Sequence, residues 1–145
     1  MAMPPKPRRD DLAAMLHPLL RDLVAAELPI LAAHDVSMWG YGVLSALDQS
    51  PVRTQAALAD SIGADKTRII PTLDELQQKG YIERRPDPDD RRVRLLEITP
   101  SGREVKNAIR RDIQRGEERW LSELTAQDRE VFLRALERMS RLGPH

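Results

Sequence analysis

Residues 54–80 read TQAALADSIGADKTRIIPTLDELQQKG, and their spacing decides the fold. Thr54 is placed to cap a short helix running to Ser61, because its hydroxyl can accept a backbone N–H at the helix start. Ala57, Leu58 and Ala59 give that helix its apolar side. Gly63 then supplies the left-handed conformation that ends a helix tightly. Asp65 caps a second helix from about Lys66 to Lys79, closed by Gly80, with Ile69, Ile70, Leu73 and Leu76 as its inner face. The link Ile62-Gly63-Ala64 is so short that the two helices must cross steeply.

Beyond Gly80 the pattern predicts two strands, Tyr81–Arg85 and Arg92–Ile98. The turn between them, Pro86-Asp87-Pro88-Asp89-Asp90-Arg91, is rich in proline and acid. Thr99 and Pro100 open another helix as N-cap and first helical residue, with Val105, Ile109, Ile113 and Trp120 on one face. Thr125 caps a last helix, Asp128 completing a pattern like a capping box, and Val131, Phe132, Ala135, Leu136 and Met139 form its stripe.

Upstream, residues 1–9 hold three prolines without apolar periodicity and read as a flexible arm. From Asp10 a helical stripe forms from Leu12, Leu16, Leu19, Leu20, Leu23 and Val24. Pro18 and Pro29 each remove a backbone donor, which predicts a bend or break there. Ser37 caps a helix through about Ala46, whose buried face is read as Trp39, Val43, Leu44 and Leu47. Gly40 and Gly42 weaken that helix unless something packs closely, and Asp48–Pro51 reads as a turn.

Composition narrows the function classes. The chain has 145 residues, 41% hydrophobic, only one Phe, two Tyr and two Trp, so its core must be aliphatic and suits packed helices. The absence of Cys excludes disulfides, thiolate metal sites and cysteine redox chemistry. No apolar run approaches a membrane span, and the basic start is not followed by the apolar segment of a secretory signal, so a cytoplasmic location is expected. The net charge is zero, but Lys6, Arg8 and Arg9 cluster at the start, and Arg84, Arg85, Arg91, Arg92 and Arg94 cluster around the turn.

A steeply crossed helix pair lets the second helix place its N-terminal half in a DNA major groove. Lys66, Thr67 and Arg68, with Thr72 a turn later, suit that task, since Arg reads a guanine edge, Thr a base or phosphate, and Lys a phosphate. On those residues alone an ordinary helical hairpin with a solvated charged face is the better account. The arginine-flanked hairpin shifts the balance. As a wing it can place an Arg in the minor groove, with Asp90 pairing Arg91 or Arg92 to stiffen the tip, although a solvated turn explains it equally well in isolation.

Taken together, Leu58-Ala59-Asp60-Ser61-Ile62-Gly63, Asp65-Lys66-Thr67-Arg68, Leu73-Asp74-Glu75-Leu76 with Gly80, Glu83-Arg84-Arg85, Asp90-Arg91-Arg92 and Ile98-Thr99-Pro100-Ser101-Gly102 resemble the MarR family of regulators. The resemblance spans about Asp35 to Arg103. It implies a mainly α fold with a small β-hairpin wing: a winged helix-turn-helix over 35–100, flanked by dimerisation helices at 10–34 and 101–145. It implies a homodimer on a pseudo-palindromic operator, and a transcriptional regulator, commonly a repressor released by a small-molecule effector. The DNA-binding candidates are Thr54, Asp65, Lys66, Thr67, Arg68, Thr72, Arg84, Arg91 and Arg92. One departure is Pro71 inside the recognition helix, which removes the bond to the Thr67 carbonyl, should bend the helix and confines base reading to the residues before it.

The remaining features weigh less. Leu16, His17, Met38, Trp39 and Tyr41 are candidates to line an effector pocket, though core packing explains the aromatic and aliphatic ones as well. His17, His34 and the terminal His145 form no metal site without Cys or a tight acidic cluster. Asp87, Asp89 and Asp90 lack the Gly and distal Glu of a calcium loop. No nucleophile elbow, P-loop or dinucleotide fingerprint occurs, so neither enzyme activity nor a cofactor is expected. The competing reading is a winged-helix module whose wing docks an acidic protein rather than DNA.

Overall fold

The computed structural model describes residues 2–49 and 53–143. Its elements run α1 (Leu12–Ala33), α2 (Met38–Gln49), β1 (Arg53–Thr54), α3 (Gln55–Ile62), α4 (Lys66–Gln78), β2 (Ile82–Pro86), β3 (Arg94–Ile98), α5 (Pro100–Leu121) and α6 (Ala126–Ser140). The fold is mainly helical with a hairpin wing. The hairpin is joined by a strand that the sequence reading missed: β1 pairs with β3, giving the antiparallel order β1-β3-β2. Two residues are too few for period-two alternation to show.

The caps lie where the residue types place them. Ser37 Oγ accepts the Gly40 N–H at 3.0 Å. Thr54 accepts from Ala57, Thr99 from Gly102 and Thr125 from Asp128, at 3.0–3.1 Å. Gly63 stops α3 at φ 69°, where a side chain would be strained. At Gly102 the reason for glycine is space: a Cβ there would lie 2.1 Å from the Tyr81 carbonyl oxygen. The same carbonyl accepts the Thr99 N–H at 3.0 Å, so the base of the wing is locked to the start of α5.

One core is closed by α2, α3, α4 and the sheet. Val43, Leu44, Leu47, Leu58, Leu73 and Leu96 are wholly buried there. Each such side chain contributes about 1.5–3 kcal/mol of transfer free energy. A smaller cluster, Leu31, Val36, Ile109 and Ile113, fastens α1 and α5 to this lobe. Lys106 is buried on the inner face of α5 among Gly102, Ile109 and Ile113. Its ammonium pairs with Asp48 at the end of α2, which also accepts from Arg103 Nε at 2.8 Å.

Several expectations require correction. Neither Pro18 nor Pro29 breaks α1, which runs through both. Each proline costs one backbone bond, and beside Pro29 the buried Leu31 anchors the helix. Asp48 and Gln49 belong to α2 rather than to the predicted turn at Asp48–Pro51; Ser50 and Pro51 lie outside the described residues. The strands start at Ile82 and Arg94 rather than at Tyr81 and Arg92. Ile70 is 39% exposed instead of facing inward, since a residue adjacent to Ile69 cannot share its side of a helix. Trp39 is 52% exposed; buried Gly40 takes its place against the core, with Leu76 near the position a Cβ would occupy.

Candidate nucleic-acid interface

The leading end of α4 is built by three local choices. Gly63 turns the chain, and Asp65 Oδ1 accepts both the Thr67 N–H and the Thr67 hydroxyl at 3.0 Å. Those bonds hold the Asp65 carboxyl below its ordinary range. Ile69, Leu73 and Leu76 anchor the helix in the core. Lys66, Thr67 and Arg68 therefore stand in the open on the first turn, while Thr72 is half-buried. Neither Lys66 nor Arg68 has an ion-pair partner among the described residues. Pro71 lies within α4 without ending it. Its missing N–H leaves the Thr67 carbonyl without its usual helical donor, immediately behind the exposed turn.

The wing is a paired hairpin with Ile82 opposite Ile98 and Pro86 opposite Arg94. Its tip is organised by its acids. Asp87 N–H donates to the Val93 carbonyl at 2.9 Å, and Val93 N–H to the Asp90 carbonyl at 2.9 Å. Asp90 Oδ1 accepts the Arg92 N–H at 3.1 Å and Arg92 Nε at 3.4 Å. This is the Asp90–Arg pairing read from the sequence, and it falls on Arg92 rather than Arg91. Both arginines remain exposed at the tip.

Arg84, also a DNA-contact candidate, is engaged within the fold. Its side chain is 21% exposed, pairs with Asp74, and donates from Nε to Gln77 Oε1 at 2.6 Å. It is a strut from β2 to α4 that fixes the wing relative to the reading helix. Gln55, Gln77, Arg84 and Arg94 line a cleft of about 260 Å³ between these elements. Thr54 is likewise occupied in capping α3. Of the nine DNA-contact candidates, the structure gathers Asp65, Lys66, Thr67 and Arg68 at one helix end and Arg91 and Arg92 at the wing tip.

The five effector candidates are not brought together. Leu16 lies in an apolar groove of about 330 Å³ with Leu20, Leu23, Trp120, Phe132 and Leu136, between α1, α5 and α6. His17 and Met38 are exposed. Trp39 faces the turn before α4. Tyr41 packs on the smaller cluster, its hydroxyl accepting from Arg110 Nε at 3.3 Å. Helical spacing alone could not separate these positions, because they sit on two different helices whose crossing the sequence does not give.

The buried Lys106 was also missed. Its signal was present: it recurs with Gly102, Ile109 and Ile113 at intervals of four, three and four, the inner stripe of α5. His34 was set aside as a ligand, and in the fold its Nε2 lies 2.8 Å from Asp112 Oδ2, tying the end of α1 to α5.

Comparison with known proteins agrees with this geometry. The MarR family model matches residues 37–93, which covers α2 to the wing tip. A protein of Thauera aromatica named for regulation of its hcr operon is 28% identical over 149 aligned positions, covering 94% of this chain and 90% of the relative. A crystal structure of MarR superposes with a TM-score of 0.82 at 27% identity, covering 95% of this chain and 94% of the other. The repressor CouR, solved on a 23-mer DNA duplex, superposes with a TM-score of 0.76 at 25% identity, covering 90% and 92%. CouR from Rhodococcus jostii RHA1, solved with p-coumaroyl-CoA, superposes with a TM-score of 0.73 at 25% identity, covering 94% of each chain. Family match, relative and wing geometry converge on one likeness: from α2 to the wing tip the chain is similar to the MarR family.

Proposed function

We propose that this chain is a DNA-binding transcriptional regulator that acts as a homodimer and is released from its operator by a small molecule. One observation carries the DNA reading: the exposed Lys66-Thr67-Arg68 turn and the Arg91-Arg92 tip are held in fixed relation by the Arg84–Asp74 strut. In this reading α4 enters the major groove and the 86–92 tip follows the minor groove beside it. CouR, whose fold it shares, has been solved both on duplex DNA and with an acyl-CoA, which supports both halves of the proposal.

The dimer follows from the terminal helices. Leu12, Leu16 and Leu20 of α1 and Val131, Leu133 and Met139 of α6 are 43–58% exposed, more apolar surface than a lone chain favours. No helix among the described residues is long and apolar enough to cross a membrane. A second copy of the chain is the occupant that suits this surface.

The test is selection of bound fragments from genomic DNA, followed by titration of the selected duplex at several salt concentrations. Affinity falls steeply with salt, because several phosphates are neutralised. Arg68→Ala costs about 1–3 kcal/mol of discrimination at one base position. Arg91→Ala combined with Arg92→Ala weakens all duplexes. Fragments that are not retarded at moderate salt would overturn the reading in favour of a protein-docking wing.

A further inference from the structure

We infer that Trp39 is part of the DNA-binding face and packs against the sugar–phosphate strand bordering the groove that α4 enters. The inference rests on the proposed function and adds a contact from α2. An indole on the first turn of α2 would ordinarily be turned into the core with Val43, Leu44 and Leu47. Here Gly40 takes that side, and Trp39 is left 52% exposed. It does not stand alone on the surface. With Gly63, Ala64, Asp65, Arg68 and Ile69 it forms a cleft of about 290 Å³ directly beside the leading turn of α4.

The chemistry of that cleft selects one occupant. Buried Ile69 and exposed Arg68 both line it, and Lys66 lies one residue beyond Asp65. The acid in the lining, Asp65, is already engaged by Thr67 through Oδ1 and so is turned toward its own helix. The cleft therefore pairs an apolar ring with Arg68, a cation without an ion-pair partner among the described residues. A deoxyribose–phosphate strand has that pattern in reverse, with an apolar sugar edge beside an anionic phosphate. The indole presents a face to the sugar and an Nε1–H to a phosphate oxygen, and Arg68 remains free for a base edge. The cleft is continuous with the turn already assigned to the groove, so a duplex seated on Lys66–Arg68 reaches Trp39 without any change of fold.

The experiment uses the full chain and a selected duplex carrying a fluorophore. Duplex anisotropy reports binding, and tryptophan emission reports the environment of the indoles, which number two in the chain. The expected result is a change in tryptophan emission that saturates with the anisotropy and is lost in Trp39→Phe, where only Trp120 still emits. Trp39→Ala weakens binding on the order of tenfold, nearly equally across sequences, because a backbone contact carries no base information. Its melting temperature stays near the parent's, since the side chain is not in the core. If anisotropy rises while emission is unchanged, and Trp39→Ala binds like the parent, the inference is overturned and the DNA reading stands. If no duplex raises the anisotropy, the DNA reading falls and takes this contact with it. A variant that loses discrimination rather than general affinity overturns the backbone assignment specifically.

Discussion

The winged lobe and the terminal helices are built from the same aliphatic residues and end in opposite states. In the lobe, α4 sends Ile69, Leu73 and Leu76 into a core from which water is excluded. In α6, a stripe of comparable spacing, Val131 to Met139, leaves no residue buried. The difference is not in composition. The lobe has three helices and a sheet to surround each side chain, whereas α1 and α6 only line an open groove with Leu16, Trp120 and Phe132. Periodicity thus reports that a helix has an apolar face. It does not report whether the chain itself covers that face, and an uncovered face implies a partner.

The largest effect separates the two regions directly. Leu73→Ala removes a wholly buried side chain and costs about 3–5 kcal/mol in chemical denaturation, at any protein concentration. Leu133→Asp, at a side chain 44% exposed in the single chain, leaves the lobe folded and instead reduces the mass in solution from two chains to one. The parent's melting temperature then rises with protein concentration while that of Leu133→Asp does not. Equal mass for both proteins would mean that α6 does not pair, and the contrast between the regions would lose its functional meaning.

A smaller effect is expected where the regions join. Lys106→Met keeps most of the side-chain volume but removes the ammonium that faces Asp48. Because Asp48 retains Arg103, the loss is about 1–3 kcal/mol, less than for a buried carboxylate left with no partner. If the variant is instead more stable than the parent, the pair serves orientation of α2 on α5 and not stability.

How much of this was legible follows from which forces are local. Thr54, Gly63, Asp65, Thr99 and Thr125 act on residues two or three positions away, so caps and turns could be read directly. The wing and a bond from Asp90 to one of its two neighbouring arginines were legible for the same reason, though not that the partner is Arg92. What failed was tertiary. Trp39 looked like core because it is large and apolar, but burial was decided by Gly40, which lets α2 approach Val36 and Leu76. Arg84, a DNA-contact candidate, also has a structural pairing that no local rule announces. Its fate was set by Asp74 and Gln77, ten and seven residues earlier and on another element. Where the effector candidates lie relative to one another was equally illegible, because no local rule says which helices cross at Tyr41.

The smallest effect sharpens the comparison through charge. At the lobe junction, the hydrogen bond from Lys106, then that from Arg103, holds the Asp48 carboxyl below its ordinary value of 3.8. A depressed folded value means a stabilisation present above that pH and lost as the pH falls through the folded value. In the terminal region burial does the reverse. Desolvation first, and then the charge of Glu118, push Glu117 above 4.5; desolvation and the charge of Glu117 do the same to Glu27. A raised folded value means that the ionised form is disfavoured in the fold, so this stability is present below 4.5 and lost as the pH rises through the folded value. Glu117→Gln should therefore melt above the parent at pH 7, and Lys106→Met below it. Both differences should close as melting curves are taken down toward pH 3, Glu117→Gln converging first, since its window lies above 4.5 and that of Asp48 below 3.8. Curves that stay parallel across that range would show that neither carboxylate is coupled to folding. Glu117→Gln below the parent at pH 7 would mean that a cation of the partner chain meets Glu117 across the dimer, which turns the same measurement into a probe of what covers the open groove.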